Sequence, residues 1–323
     1  MSTTIYDIAQ RSGVTTATVS VVLNNKKSRI GVSDATRKRV LQAAEDLNYR
    51  PSFSARSLAR GRTFTLGLLC RGIENPHFAE VTAVTLREAN KLGYHLSIAL
   101  VDYESQVEPE MELLLQRNVE GIILWSHQPR EKYYQYLQSR RIPAILCQSE
   151  YKDLPAIRCD WRPGMNEAID FLKAKGQSRI GYINQDGSFS KKQAFIEACE
   201  QRGVAFVVFE CTEKTEECRE LGRALARDLH RPETVLVFSD YGAMGVLHGL
   251  HEQGLNVPSD IGVIGLGGTR LGELFNPPLT TIDQAKDRMA ALAVERMVEM
   301  VQSKQGYTGT TLLPASLIVR NSA

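Results

Sequence analysis

The sequence predicts an α/β protein in two parts: a small N-terminal unit of three helices in a helix-turn-helix arrangement, then a larger unit of parallel sheets covered by helices. Three observations carry this. Between Ile5 and Leu47, apolar residues recur at helical spacing on three short segments. From Phe64 onward, continuous apolar runs alternate with amphipathic helical patterns. Basic residues concentrate at one end: eleven Lys or Arg against four Asp or Glu through Arg62, in a chain whose net charge is only +2. Such asymmetry is the footprint of a unit that meets phosphates, not of a generally basic protein.

In the first helix Ile5, Ile8 and Ala9 form the apolar stripe, which stops at Gly13, a residue suited to a tight turn. Thr15 caps the second helix, where Val19, Val22 and Leu23 face inward while Thr16, Ala17, Ser20 and Val21 share the opposite side. That outer face is small and uncharged, and Lys26, Lys27 and Arg29 follow it. Ser33 is the expected N-cap of the third helix, which opens with Arg37, Lys38 and Arg39 and buries Val40, Leu41, Ala44 and Leu47. Three helices thus share one small core, leaving the second free to enter a DNA groove. The alternative is a three-helix cap with solvated charges.

Asn48-Tyr49-Arg50-Pro51 ends the third helix, and the polar segment Ser52 to Arg62 is too short to be helical unless docked. Here the runs IYDIAQRSGVTTATVSVVLN, VSDATRKRVLQAAEDLNYRP and ARSLARGRT resemble the start of the LacI-type (lactose and galactose repressor) family of transcription regulators. The resemblance extends through essentially the whole chain. It implies a DNA-binding domain at 1–49, a hinge at 50–62 and a two-lobed, periplasmic-binding-protein-like domain at 63–323 that binds an effector and dimerises. Lobe 1 is expected at about 63–174 and 284–309, lobe 2 at about 177–282 and 312–323, with crossings near Lys175–Ser178, Ile282–Gln284 and Thr308–Leu312. The resemblance also places Ala55, Arg56 and Leu58 in a hinge helix, with Leu58 as a minor-groove wedge that kinks the duplex.

The 323 residues are ample for two domains, and no apolar run approaches membrane-spanning length. No secretory signal is legible at the N-terminus, so a cytoplasmic protein is expected. The six cysteines have neither CxxC nor metal spacing and read as reduced core residues. Eight strands are expected, at Phe64–Cys70, Tyr94–Val101, Gly121–Trp125, Ala144–Cys147, Arg179–Ile183, Val204–Phe209, Val235–Phe238 and Ile261–Leu266. Their unbroken apolarity suits parallel sheets covered on both faces.

A cleft at strand carboxyl ends is where a small ligand would bind. Asn75-Pro76-His77-Phe78 follows the first strand; the resemblance offers Phe78 to the ligand, whereas the sequence also fits Asn75 as a helix cap with Pro76 in the first turn. Lys191 stands where the family places an arginine that clamps ligand oxygens. Ser239-Asp240 replaces its usual Asn-Asp pair, keeping Asp240. Trp161 and Gln284 complete the ligand candidates. The largest departure is Gly267-Gly268, where the family commonly has two aspartates that receive sugar hydroxyls. Their loss shifts the expectation towards an anionic or less hydroxylated effector, with a neutral sugar held by Asn184 or Gln284 as the alternative.

Enzymatic readings have little support. GLGGTRLG mimics a dinucleotide fingerprint, with Asp283 eighteen residues after Gly265, but Arg270 occupies the third glycine position and Asn276-Pro277-Pro278 interrupts any long helix. His248 and His251 lie at i and i+3 without a third ligand, and neither a phosphate loop nor a Gly-x-Ser-x-Gly elbow is present. No catalytic residue, cofactor or metal is expected. The expected partners are an operator duplex, a sugar, sugar acid or sugar phosphate, and a second copy of the chain; no leucine heptad follows the last strand-like segment, Leu312–Val319, so a dimer is expected. The expected function is repression of transcription under effector control, with Thr16, Ala17 and Val21 packing on thymine methyls instead of forking to guanine.

Overall fold

A computed structural model describes residues 3–23, 31–49, 57, 61–101, 107–125, 131–185, 189–212, 214–303 and 306–323. The chain forms two compact units, Met1–Phe64 and Thr65–Ala323.

In the first unit, α1 (Ile5–Ser12) begins with a capping box in which the Thr4 amide donates to Asp7 at 2.8 Å, and it ends at Gly13 in the left-handed region. α2 (Thr16–Leu23) is capped by the Thr15 hydroxyl, which accepts from the Thr18 amide at 3.2 Å. α3 (Asp34–Asp46) is capped in the same way by Ser33. Ile8, Ala9, Val19, Val22, Val40, Ala43 and Ala44 form the core. Leu41 departs from expectation: it is 48% exposed, and Ala43 takes its place. At 100° per residue, a stripe centred on Val40, Ala44 and the half-buried Leu47 lies about 67° from position 43 and about 93° from 41.

The second unit contains β1 (Thr65–Cys70), α4 (Pro76–Lys91), β2 (His95–Leu100), α5 (Val107–Gln116), β3 (Gly121–Trp125), α6 (Glu131–Ser139), β4 (Ala144–Cys147) and β5 (Ala156–Asp160). It continues with α7 (Arg162–Ala174), β6 (Arg179–Gln185), α8 (Phe189–Arg202), β7 (Ala205–Cys211), α9 (Thr215–Arg227), β8 (Thr234–Val237), α10 (Asp240–Glu252) and β9 (Gly262–Leu266). β10 (Thr280–Asp283), α11 (Lys286–Ser303), β11 (Thr310–Pro314) and β12 (Ser316–Ile318) complete it. Two six-stranded sheets result, ordered β11-β5-β4-β3-β1-β2 and β12-β10-β9-β8-β6-β7. All pairings are parallel except β10 with β12.

The crossings between lobes differ from expectation at two places. The first falls at Trp161, because α7 packs on α8, β10 and β12 of the second lobe. The bidentate pair of Arg162 with Asp160 (2.8 and 2.9 Å) turns the chain there, before Pro163 in the helix's first turn. The last crossing falls after Pro314, so the single strand expected at Leu312–Val319 is two: β11 beside β5 and β12 antiparallel to β10. Pro314 fits this edge strand because the Ala315 amide, not its own nitrogen, bonds to the Asp160 carbonyl, at 2.9 Å. The middle crossing runs from β10 through Gln284 into α11. Strands β5 and β10 were not legible as apolar runs. In β10 the buried side chains include Thr280 and Thr281, whose hydroxyls accept from Arg320 N at 2.9 Å and donate to Asp240 at 2.5 Å.

Candidate nucleic-acid interface and interlobe site

On the first unit, Thr15 and Ala17 are exposed and Thr16, Ser20 and Val21 half-buried, so the small, uncharged side of α2 reaches solvent while Val19 and Val22 hold the core. The capping bonds of Thr15 and the turn at Gly13 set this orientation. Lys26, Arg29, Ala55, Arg56 and Leu58 lie outside the described residues.

In the second unit the ligand candidates collect where the lobes meet, at strand carboxyl ends and the crossings. The Asn75 carboxamide is occupied as the N-cap of α4, accepting from the His77 amide at 3.0 Å. Phe78 is only 5% exposed and packs edge-on to His77, with the rings 5.1 Å apart and the Arg71 guanidinium 5.9 Å from the Phe78 centroid. His77 in turn lies 6.2 Å from the Trp125 ring at the end of β3. Gln284 donates to His77 Nδ1 at 3.1 Å and accepts from Gln148 at 2.6 Å, while Gln148 accepts from the Cys159 amide at 3.3 Å. Trp161 is buried beneath the Lys191 ammonium, 4.9 Å from its centroid, and Lys191 donates to the Phe238 carbonyl at 2.9 Å.

Asp240 is turned inward. Its carboxylate accepts from the Thr269 amide at 2.6 Å, the Thr269 hydroxyl at 2.8 Å and the Thr281 hydroxyl at 2.5 Å. It therefore staples the loop after β9 to β10, which sequence reasoning did not foresee. Burial raises its pKa, opposed by these bonds and by Lys286. Gly267 (φ 146°) and Gly268 (φ 63°) form that loop. A side-chain carbon on Gly268 would meet Asp283 Oδ1 at 2.4 Å, and one on Gly267 would sit 3.3 Å from Asp240 Oδ2. Aspartates in this loop conformation would combine strain with carboxylate repulsion. The segment Arg270–Leu274 is a short 3-10 helix, not the long helix a dinucleotide site requires.

Lys286 and Glu80 were missed by sequence reasoning, since nothing in their local spacing marks them. Lys286, 5% exposed at the start of α11, donates to the Gly268 carbonyl and pairs with Glu80 at 3.2 Å. Glu80 on α4 also accepts from the Arg270 amide at 2.8 Å, and Arg270 reaches Asp287 at 3.3 Å. Helices of the first lobe thereby clasp a loop of the second.

Burial, and then the Lys191 and Lys286 charges, push the His77 pKa down from 6.5 to about 3. The folded chain thus binds fewer protons here than the unfolded chain between those values. The resulting stability is fully present above pH 6.5 and is lost as pH falls towards 3. Urea unfolding at pH 7 and pH 5 should show a larger loss for the wild type than for His77→Gln, by at most about 1.4 kcal/mol per pH unit. Equal losses in both chains would contradict this.

Among the described residues, no group of three metal-ligating side chains is gathered and no helix is long and apolar enough to cross a membrane. His248 pairs with Glu252 at 3.4 Å along α10.

Residues 4–52 match the family model described as bacterial regulatory proteins, lacI family, and residues 169–323 match that of a periplasmic binding protein-like domain. The chain is 30% identical over 346 residues to the HTH-type transcriptional repressor PurR of Pasteurella multocida (strain Pm70), covering 99% of this chain and 98% of that protein. It is 30% identical over 349 residues to the ribose operon repressor of Escherichia coli (strain K12), covering 99% of each. Its fold is similar to the crystal structure of the lac repressor dimer bound to operator and the anti-inducer ONPF, with a TM-score of 0.87 at 24% identity over 100% of this chain and 99% of that one.

Proposed function

Because the chain belongs to the lacI family of bacterial regulatory proteins, we propose that it is a homodimeric, cytoplasmic transcription repressor whose operator affinity is set by a small effector held between its two lobes. The observation that carries the DNA half is the solvent-reaching, uncharged side of α2 in the only strongly basic part of the sequence. Two copies would place two such helices on half-sites of a palindrome, with phosphate contacts supplying affinity and α2 supplying readout. An effector acts only through unequal affinity for the lobe arrangements that do and do not bind DNA.

For the effector we propose a sugar acid or sugar phosphate. The reading rests on the Gly267-Gly268 loop, which carries no carboxylate of its own, and on Lys191, whose ammonium lies over the Trp161 ring. Phe78, Trp161 and Trp125 would flank the bound molecule, with Asn75, Lys191, Gly267 and Gln284 around its polar groups. Asn184, whose carbonyl oxygen is buried and has no hydrogen-bond partner among the described residues, favours a second reading in which a neutral hydroxyl is received there.

Selection of binding sites from random duplexes tests the proposal. It should return palindromes whose half-sites depend on thymines facing α2, since Thr16, Ala17 and Val21 can pack on methyl groups and cannot fork to guanine. Titrating the bound duplex with sugar acids, sugar phosphates and neutral hexoses then separates the effector readings. An essential guanine contacted by α2 would contradict the readout, and a response to neutral hexoses alone would contradict the anionic effector.

A further inference from the structure

Cys211 and Cys218 are seven positions apart, and the fold brings their sulfurs to 3.6 Å. Cys211 is the last residue of β7, the outermost strand of the second sheet, and retains 9% exposure; Cys218 lies in the first turns of α9 and is fully buried. A disulfide needs an S–S distance of about 2.05 Å, so closing the bond requires the two sulfurs to approach by about 1.6 Å. We infer that Cys211 and Cys218 form an oxidisable dithiol that closes to an intramolecular disulfide when the chain meets a hydroperoxide.

The chemistry balances with hydrogen peroxide as the oxidant. The Cys211 thiolate, at the partly exposed end of the strand, attacks one peroxide oxygen; the O–O bond breaks, and the departing hydroxide takes up a proton as water. Cys211 is then a sulfenic acid. The Cys218 sulfur attacks the Cys211 sulfur, the S–O bond breaks, and the Cys218 proton leaves with the hydroxyl as a second water. Two thiols lose two electrons and one peroxide gains them. Burial, followed by the neighbouring Cys211 and Glu217, raises the Cys218 pKa. Cys218 is therefore not the thiol that meets peroxide first, and in the second step it must release its proton to the departing hydroxyl as its sulfur attacks.

The position of Cys218 gives the bond a route to the interlobe site. A side-chain carbon on Gly245 would lie 2.9 Å from Cys218 Cβ and 2.5 Å from the Thr215 carbonyl, so the start of α9 is seated directly on α10. The seam remains close along its length: Gly249 and Gly222 leave no room for a side-chain carbon against Arg219 O and Val246 O. α10 begins at Asp240, whose carboxylate holds the Thr269 amide in the loop clasped by Lys286. Any displacement of α9 that accompanies closure is passed to α10, because packed interiors transmit strain instead of absorbing it. This coupling to operator affinity rests on the proposed repressor function; the disulfide itself does not.

The test uses the full chain, reduced and then exposed to hydrogen peroxide at a dose that fully oxidises free glutathione. After quenching, denaturation and alkylation, four of the six cysteines should be alkylated, and peptide mass mapping should recover a 211–218 crosslink. Cys211→Ala and Cys218→Ala should each show no crosslink. Six alkylated thiols, a disulfide between other cysteines, or over-oxidation of Cys211 without a crosslink would overturn the inference, and the wild-type map decides it even if a variant fails to fold. For the coupling, the oxidised wild type should bind its selected operator at least threefold differently from the reduced chain, with reversal by dithiothreitol. A crosslink with unchanged operator affinity overturns the coupling, whereas failure to bind any duplex in the reduced state counts against the repressor reading.

Discussion

Replacing Lys286 with methionine is expected to destabilise the second unit by roughly 3–5 kcal/mol, the usual cost of removing one member of a buried ion pair. The Lys286 and Glu80 side chains are 6% and 20% exposed, so little water can replace the lost partner. Among the described residues Glu80 would keep only the Arg270 amide, and the Gly268 carbonyl would lose the Lys286 donor. Buried Asp240 and half-buried Asp283 would also lose the cation that lowers their pKa values against the raising effect of burial. Glu80→Gln/Lys286→Met should recover part of the loss, because the uncompensated carboxylate is gone. Urea unfolding of both single variants and the double variant measures this; additivity within about 0.5 kcal/mol would show that the two side chains do not act as a pair. Because the clasp spans two lobes, the amides of Gly268 and Arg270 should exchange hydrogen faster in the single variant.

The Asp240→Ala chain is expected to lose about 3–5 kcal/mol, since three donors then remain in the interior without an acceptor, at roughly 1–3 kcal/mol for each unsatisfied group less the relaxation of the site. Those donors are the Thr269 amide, the Thr269 hydroxyl and the Thr281 hydroxyl. Calorimetry should register a fall in the melting temperature of about 2–4 °C per kcal/mol. The measurement distinguishes two roles for this residue. A group that only touches effector would lower effector affinity and leave the melting temperature in place; the staple described above must move the melting temperature first.

Much of the N-terminal unit was legible because its determinants are local. Thr15 and Ser33 cap helices through amides three residues away, and Gly13 terminates α1 through its own backbone. The buried face followed from 3.6-residue periodicity except at Leu41, which sits at the edge of the stripe. In the larger unit, strands made of continuous apolar residues were equally legible. β10 was not, because its threonines are buried through hydrogen bonds to Asp240 and Arg320, a condition no hydropathy pattern records.

The sequence by itself determined the division into a basic three-helix unit and an α/β unit, the start of each short helix and the face of α2 turned away from its core. These depend on interactions spanning a few residues, and such interactions can be read in order along a chain. Tertiary structure alone decided that the chain leaves the first lobe at Trp161 and returns to the second after Pro314. It also turned Asp240 from the open cleft to Thr269 and Thr281, set Lys286 against Glu80, and brought Cys211 to Cys218. Each of these pairs charges or polar atoms across separate elements, and their energies depend on distance and burial that exist only once the sheets have packed.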